Sequence, residues 1–300
     1  MSGYEVVGDW GTSHLRLFRI EQGRPVARLS GPGIAAAGAR AEAAFAETIA
    51  PWLEDGMPDQ IRLCGMAGAR DGWVEALYVD CPTTERDWRS AAARFDWRGV
   101  PVSILAGLAC TDGDGVADVM RGEETQLFGA IKQHPELAKG RQLIVLPGTH
   151  NKWTQVEDGR IIAFRTVPTG ELYALLRDHS TLGPKADTRD PSLESEGFAE
   201  GLGRAGEGRL LTSLFAARAM RLRAGRSPDW AAGYLSGLLI GCEIAEILAM
   251  LGTAGNIILI GDQRLCARYA QALEARGLSS DLLDGDDCVL AGLTLPENDA

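Results

Sequence analysis

One pattern occurs twice in this 300-residue chain, and it limits the folds open to it. Tyr4 to Gly8 is a short apolar run; Asp9-Trp-Gly11-Thr12-Ser13-His14 follows, then a second run with Leu15, Leu17, Phe18 and Ile20. Apolar runs of that length broken by a glycine turn read as two strands, with a third near Val26 to Leu29 after Gly23. The pattern returns at Leu143 to Leu146. There a strand precedes the turn Pro147-Gly-Thr-His-Asn-Lys152, a strand from Trp153 to Val156, the hairpin signal Asp158-Gly159 and a strand from Arg160 to Val167. Gly11-Thr12 and Gly148-Thr149 stand 137 residues apart, near half the chain. Such a repeat predicts two similar domains, expected at residues 1–140 and 141–300.

Other elements follow from periodicity. Ala39 to Leu53 carries Phe45, Ile49 and Trp52 on a helical stripe, and Gln60 to Cys64 and Val100 to Leu105 read as strands. The second half turns helical at Glu171 to Arg177, Arg209 to Leu222 and Tyr234 to Leu251. A late strand, Asn256 to Ile260, precedes a helix from Leu265 to Arg276 that ends at Gly277. Gly183 to Ser195, polar and with two prolines, reads as a loop.

Composition excludes several classes of function. The net charge of −11 argues against a nucleic-acid or membrane-surface partner. The six cysteines show no C-x-x-C pair and no metal-ligand spacing, so they read as reduced core residues of a cytoplasmic protein. The N-terminus lacks the basic and apolar regions of a signal peptide. Trp230 to Leu251 is apolar, but it carries Glu243 and Glu246 and reads as a buried helix. Gly201-Leu-Gly203-Arg-Ala-Gly206 fits a dinucleotide fingerprint, yet it follows a polar stretch rather than a strand. No P-loop pattern occurs.

The two turns suit phosphate. Gly11 and Gly148 allow close approach of the backbone, and turn N–H groups with the hydroxyls of Thr12, Ser13 and Thr149 can hydrogen-bond phosphate oxygens. Asn151 and Lys152 add an amide and a cation. Asp9 ends its strand where it could hold Mg²⁺. In Arg121-Gly-Glu-Glu-Thr-Gln126, the adjacent carboxylates Glu123 and Glu124 could supply a base, and Asp9 competes for that role. Neighbouring side chains point apart, so only one of the pair is expected to reach a substrate. The same carboxylates would also suit the N-terminus of a helix. The glycine-rich turn Gly65-Met66-Ala-Gly68-Ala-Arg70 suits a carboxylate ligand. Arg165, Thr169 and Glu171 are further candidates for substrate contact, with a structural ion pair as the competing reading for Arg165.

Asp-x-Gly-Thr-Ser-x-x-Arg, from Asp9 to Arg16, resembles the first phosphate motif of the actin/hexokinase/acetate-kinase superfamily. Together with Gly65 to Trp73, Asp118 to Gln126, Leu146 to Trp153, Arg165 to Glu171 and Ser236 to Gly241, it makes the chain resemble the 2-dehydro-3-deoxygalactonokinase family over nearly its whole length. That resemblance implies an α/β fold of two ribonuclease-H-like (actin/hexokinase-like) domains with an interdomain cleft that closes on its ligands. It implies ATP and Mg²⁺ as cofactors and a small sugar acid as partner. It places Gly11, Thr12, Ser13, Arg16, Gly148, Thr149, Asn151, Lys152 and Gly261 at the nucleotide, and Gly65, Met66, Gly68 and Arg70 at the sugar acid. The adenosine turn expected at Gly261 has fewer glycines than is common in such kinases. Oligomeric state is left open. Two rivals share the fold: a phosphatase acting on polyphosphate or guanosine pentaphosphate, and a non-catalytic sugar sensor or ATPase switch. A sensor that regulates transcription would carry a basic DNA-binding extension, and none is seen.

Overall fold

The computed structural model describes residues 3–183, 190–205, 210–252 and 256–295. Its strands are β1 (Glu5–Trp10), β2 (His14–Glu21), β3 (Arg24–Pro32), β4 (Gln60–Gly65), β5 (Tyr78–Asp80), β6 (Ala93–Trp97), β7 (Val100–Ile104), β8 (Gly107–Thr111), β9 (Ala117–Met120), β10 (Arg141–Leu146), β11 (Asn151–Glu157), β12 (Arg160–Val167), β13 (Ile257–Gly261) and β14 (Ser280–Asp284). Its helices are α1 (Ile34–Ala37), α2 (Ala41–Leu53), α3 (Glu85–Ser90), α4 (Glu123–Gln133), α5 (Thr169–His179), α6 (Pro191–Ala205), α7 (Leu210–Leu214), α8 (Ala216–Ala224), α9 (Pro228–Leu251), α10 (Gln263–Glu274) and α11 (Gly285–Leu293).

The chain divides into two compact units. One gathers Met1–Arg141, Thr154–Phe164 and Leu283–Ala300; the other gathers Gln142–Trp153 and Arg165–Leu282. The sequence draws a single boundary after residue 140, whereas here the 154–164 segment and the C-terminal segment belong to the first unit.

The predicted repeat is visible in the sheets. One sheet runs β3-β2-β1-β4-β7-β6 and another β12-β11-β10-β13-β14. In each, three meandering strands present the first of the three to a later strand that pairs with it in parallel, β1 with β4 and β10 with β13. This is the ribonuclease-H-like order, twice. Both meanders turn on two residues with positive φ, Gln22-Gly23 and Asp158-Gly159. That is the turn whose twist matches paired strands, and it tolerates Asp and Gly readily. A small sheet, β5-β8-β9, lies in the first unit and is not signalled by the sequence.

The first unit's core rests on aromatic rings. Trp73 lies 4.8 Å from Phe45 and 6.3 Å from both Trp10 and Trp97, centroid to centroid. Phe45, Ile49 and Trp52, the predicted stripe of α2, are all buried here. Trp73 is therefore a packing anchor for the Gly65–Arg70 turn that precedes it.

In the second unit α6 packs along α9 through glycines. A Cβ on Gly197 would stand 2.0 Å from Trp230 O, and one on Gly201 2.2 Å from Tyr234 O. In return, a Cβ on Gly233 would stand 1.9 Å from Glu194 O, and one on Gly237 2.1 Å from Phe198 O. This packing accounts for Gly201, the first residue of the false dinucleotide fingerprint. Helix α9 is long and apolar enough to cross a membrane, but most of its apolar window is buried inside the protein.

Three helix boundaries differ from the sequence reading. Helix α6 begins at Pro191, inside the stretch read as a loop; residues 184–189 of that stretch lie outside the described residues. Proline is favoured at a first helical position, and Asp190 accepts the N–H groups of Ser192 and Leu193 at 2.9 and 3.4 Å. The helix expected from Arg209 to Leu222 is two, α7 and α8, and Arg209 lies outside the described residues. Helix α9 starts at Pro228 rather than Tyr234, capped by Ser227, whose hydroxyl accepts the Trp230 N–H. Gly277, with φ +75°, closes α10 as expected.

Candidate active site

In the first unit, register does the assembling. Asp9 stands opposite Arg16 across β1–β2 and opposite Cys64 across β1–β4. The Arg16 guanidinium ion-pairs with Asp9 and also with Asp286 in the first turn of α11. Asp9 keeps 18% of its side chain exposed. The Cys64 thiol lies 3.8 Å from Asp9 Oδ1; burial pushes its pKa well up, and Asp9 and Glu124 push it further. The Gly11 N–H donates to His14 O at 2.9 Å, and the N–H groups of Ile34 and Ala35 donate to Gly11 O and Thr12 O. Thr12 and Ser13 are exposed. Asp9, Gly11, Ser13, His14, Arg16, Arg28 and Ser30 line a cavity of about 450 Å³.

Gly65, at the end of β4, has φ +80°, and Gly122, just before α4, has φ +109°. A Cβ on Gly122 would stand 3.4 Å from the Gly65 Cα, so the two glycine turns touch. Beyond Gly122 the two carboxylates part, as adjacent helical residues must. Glu124 is fully buried, accepts the Gly122 N–H at 2.7 Å, and burial pushes its pKa up to about 8. Glu123 is half-buried, and its Oε2 accepts the Arg121 N–H at 3.2 Å. Met66 is half-buried, Gly68 buried and Arg70 exposed.

Arg121 escaped the sequence reading. Its guanidinium lies 4.3 Å over the Tyr78 ring, and its Nη2 donates to Ala76 O at 2.7 Å. Nε and Nη1 are buried without a hydrogen-bond partner, and Nη1 sits 2.8 Å from where a Gly68 Cβ would be. Only its place beside the Gly-Glu-Glu segment hinted at a role.

In the second unit, Gly148, Thr149, Asn151 and Thr169 line the wall of a cavity of about 650 Å³. Tyr173, Leu239, Ile240 and Leu265 supply apolar lining, and Arg177, Asp262, Arg264 and Arg268 supply charge. The Asn151 side chain accepts the Gly148 N–H at 2.6 Å and ties the turn to β11. Gly170 must be glycine, since a Cβ there would stand 2.1 Å from Gly148 O.

A family model described as 2-keto-3-deoxy-galactonokinase matches residues 9–295. The chain belongs to the 2-keto-3-deoxy-galactonokinase family. It is 37% identical to the probable 2-dehydro-3-deoxygalactonokinase of Rhizobium meliloti over 98% of this chain and 96% of that protein. It is 33% identical to the 2-dehydro-3-deoxygalactonokinase of Escherichia coli, covering 98% and 97%. A Sinorhizobium meliloti crystal structure with the same kinase designation superposes with a TM-score of 0.87 at 36% identity, covering 97% of each chain.

The structure places the other residues expected at the ligands of a 2-keto-3-deoxy-galactonokinase on β11, β12, β13 and α5. Thr169, expected at the sugar acid, lines the second unit's cavity with Gly148. Glu171 is exposed; its N–H donates to Thr149 O at 3.0 Å and its carboxylate lies 2.8 Å from His150 Nε2. Lys152 is buried and does not line that cavity; neighbouring strand residues face opposite ways, and its Nζ donates to His150 O at 3.1 Å. Arg165, expected at the sugar acid, is half-buried on β12. Gly261 ends β13 with φ +151°, its missing Cβ 3.3 Å from Pro147 O, and the cavity lining resumes at Asp262.

Proposed function

We propose that this chain transfers the γ-phosphoryl group of ATP to O6 of 2-dehydro-3-deoxy-D-galactonate, giving the 6-phosphate and ADP. Membership of the kinase family carries this reading, and the disposition of the carboxylates supports it. Glu124 is fully buried with its carboxylate turned onto the Gly122 N–H, so it is poorly placed to reach a substrate hydroxyl. Glu123, beside it and more accessible, is the base that takes the O6 proton as the O6–P bond forms and the bond to ADP breaks. Asp9, partly exposed and beside the Gly11–Ser13 turn, would hold Mg²⁺. Mg²⁺ there would neutralise charge on the transferring phosphoryl group.

The nucleotide is assigned to the second unit's cavity, whose volume falls in the usual ligand range. Gly148, Thr149, Asn151 and Thr169 face its phosphates, while Tyr173, Leu239, Ile240 and Leu265 take the adenosine. The Gly65–Arg70 turn, with Arg70 and Arg121, takes the sugar-acid carboxylate. Thiols at all six cysteines support a cytoplasmic setting. ADP release measured with ATP–Mg²⁺ and a panel of sugar acids tests the reading. Transfer is expected only with the matching acid; phosphate release without any acid would favour the phosphatase rival.

A further inference from the structure

Helix α9 is apolar along most of its length, yet Glu243 on it is only 4% exposed. A buried carboxylate is costly unless donors surround it. Here they do. Oε1 accepts the Trp153 indole N–H at 2.6 Å, both oxygens accept from Asn151 Nδ2 at 3.0 and 2.9 Å, and Oε2 accepts the Tyr269 hydroxyl at 2.5 Å. The Thr169 hydroxyl adds a further bond. Burial raises the pKa of Glu243, and these four donors oppose the rise.

The ionised carboxylate can only accept, and that fixes the two-ended Asn151 amide. Nδ2 must face Glu243, which leaves Oδ1 to face the turn, where it accepts the Gly148 N–H. A flipped amide would set Oδ1 against the carboxylate and leave that N–H unpaired. We propose that Glu243 is a positioning residue for the nucleotide, acting through Asn151 to hold the Gly148 turn in its phosphate-binding shape. This rests on reading the second unit's cavity as the nucleotide site. Neither Glu243 nor Trp153 lines that cavity, whereas Asn151, Thr169 and Tyr269 do. The carboxylate thus reaches a ligand only through residues it orients. Glutamine keeps the shape but gives up the charge and one acceptor oxygen, so Trp153, Asn151, Tyr269 and Thr169 would share a single carbonyl oxygen.

The test uses the full-length enzyme. Glu243→Gln is expected to raise the KM for ATP about 10-fold, a typical loss for groups that orient a binding shell, and to leave the sugar-acid KM within about twofold. Adding Glu243→Gln to Asn151→Ala should raise the ATP KM little further, since both act on one path. An unchanged ATP KM in folded Glu243→Gln, an equal rise in both KM values, or full additivity would overturn the proposal. If Glu243→Gln does not fold, Trp153→Phe, which removes one donor and touches no cavity wall, should give a smaller but equally selective rise; no change would overturn the proposal. Calorimetric ADP binding separates this inference from the kinase reading. Wild-type protein that binds ADP but transfers no phosphoryl group removes only the kinase reading, and the variants' ADP affinity still decides the role of Glu243. Wild-type protein that binds no adenine nucleotide removes both.

Discussion

Gly65 lies so close to the end of β1 that a Cβ on it would stand 3.3 Å from Asp9 Oδ1 and 2.8 Å from Trp10 O. Its φ of +80° adds a conformation that alanine resists. Gly65→Ala should therefore move Asp9 without altering its chemistry. Asp9→Asn does the reverse, keeping the shape and removing the charge. Both are expected to lower kcat, Asp9→Asn by about 10²-fold or more, because charge placement supplies most of phosphoryl-transfer catalysis. Gly65→Ala should also lower Tm through backbone strain, and Asp9→Asn only by the loss of its ion pair with Arg16. Steady-state kinetics with thermal melts checks both; near-normal kcat in Asp9→Asn would remove Asp9 from the site.

Glu124 makes stability depend on pH. Its pKa in the folded protein, about 8, lies above the ordinary carboxylate value of 4.5. The folded state therefore binds a proton that the unfolded chain has lost. Its favourable contribution is complete below about pH 4.5 and is lost as pH rises through 8. Glu124→Gln mimics the protonated form. The variant should match wild type near pH 4.5 and exceed it by on the order of a few kcal/mol at pH 9. Denaturant unfolding from pH 5 to 9 measures the gap, and parallel curves would show that Glu124 is ionised throughout.

The α6–α9 crossing can be tested with two glycines of opposite setting. Gly237→Ala places a methyl where the Phe198 carbonyl stands, 2.1 Å away, so the helices must separate. Overpacking of this kind costs about 1–3 kcal/mol and outweighs the better helix propensity of alanine. Gly203, also on α6, has nothing within 4 Å of its Cβ position. Gly203→Ala should stabilise the protein by up to about 1 kcal/mol. Thermal melts that move in the same direction for both would contradict this packing.

Much of the fold was legible because the repeat is written in local signals. Strand runs, glycine turns and the Asp158-Gly159 hairpin need only neighbouring residues, and β12 matches its expected bounds, Arg160–Val167. The small sheet β5-β8-β9 was not legible, since its strands are short and gain order from one another. Among candidate site residues, the sequence reading favours those on turns and passes over those whose meaning depends on distant partners. Glu243 reads as a charge on an apolar helix until Asn151, 92 residues earlier, is seen against it. Lys152 looks like a phosphate cation in a linear motif, but strand alternation turns it away from the face that Asn151 presents.

The proposal puts two arginines at the sugar-acid carboxylate, and kinetics can tell their shares apart. Arg70 is exposed at the end of the Gly65–Arg70 turn. Arg121 is held over Tyr78 with two buried donors beside Gly68. Lysine keeps the charge of either arginine but loses the planar fork and its fixed donors. If Arg70 receives the carboxylate, Arg70→Lys should raise the sugar-acid KM several-fold, leave the ATP KM nearly unchanged and barely move Tm, because its side chain is solvated. Arg121→Lys should raise the sugar-acid KM and also lower Tm, because it loses the ring contact and the bond to Ala76 O. A neutral Arg70→Lys beside an impaired Arg121→Lys would assign the carboxylate to Arg121. An equal rise in both KM values for either variant would show that the residue supports the site without touching the sugar acid.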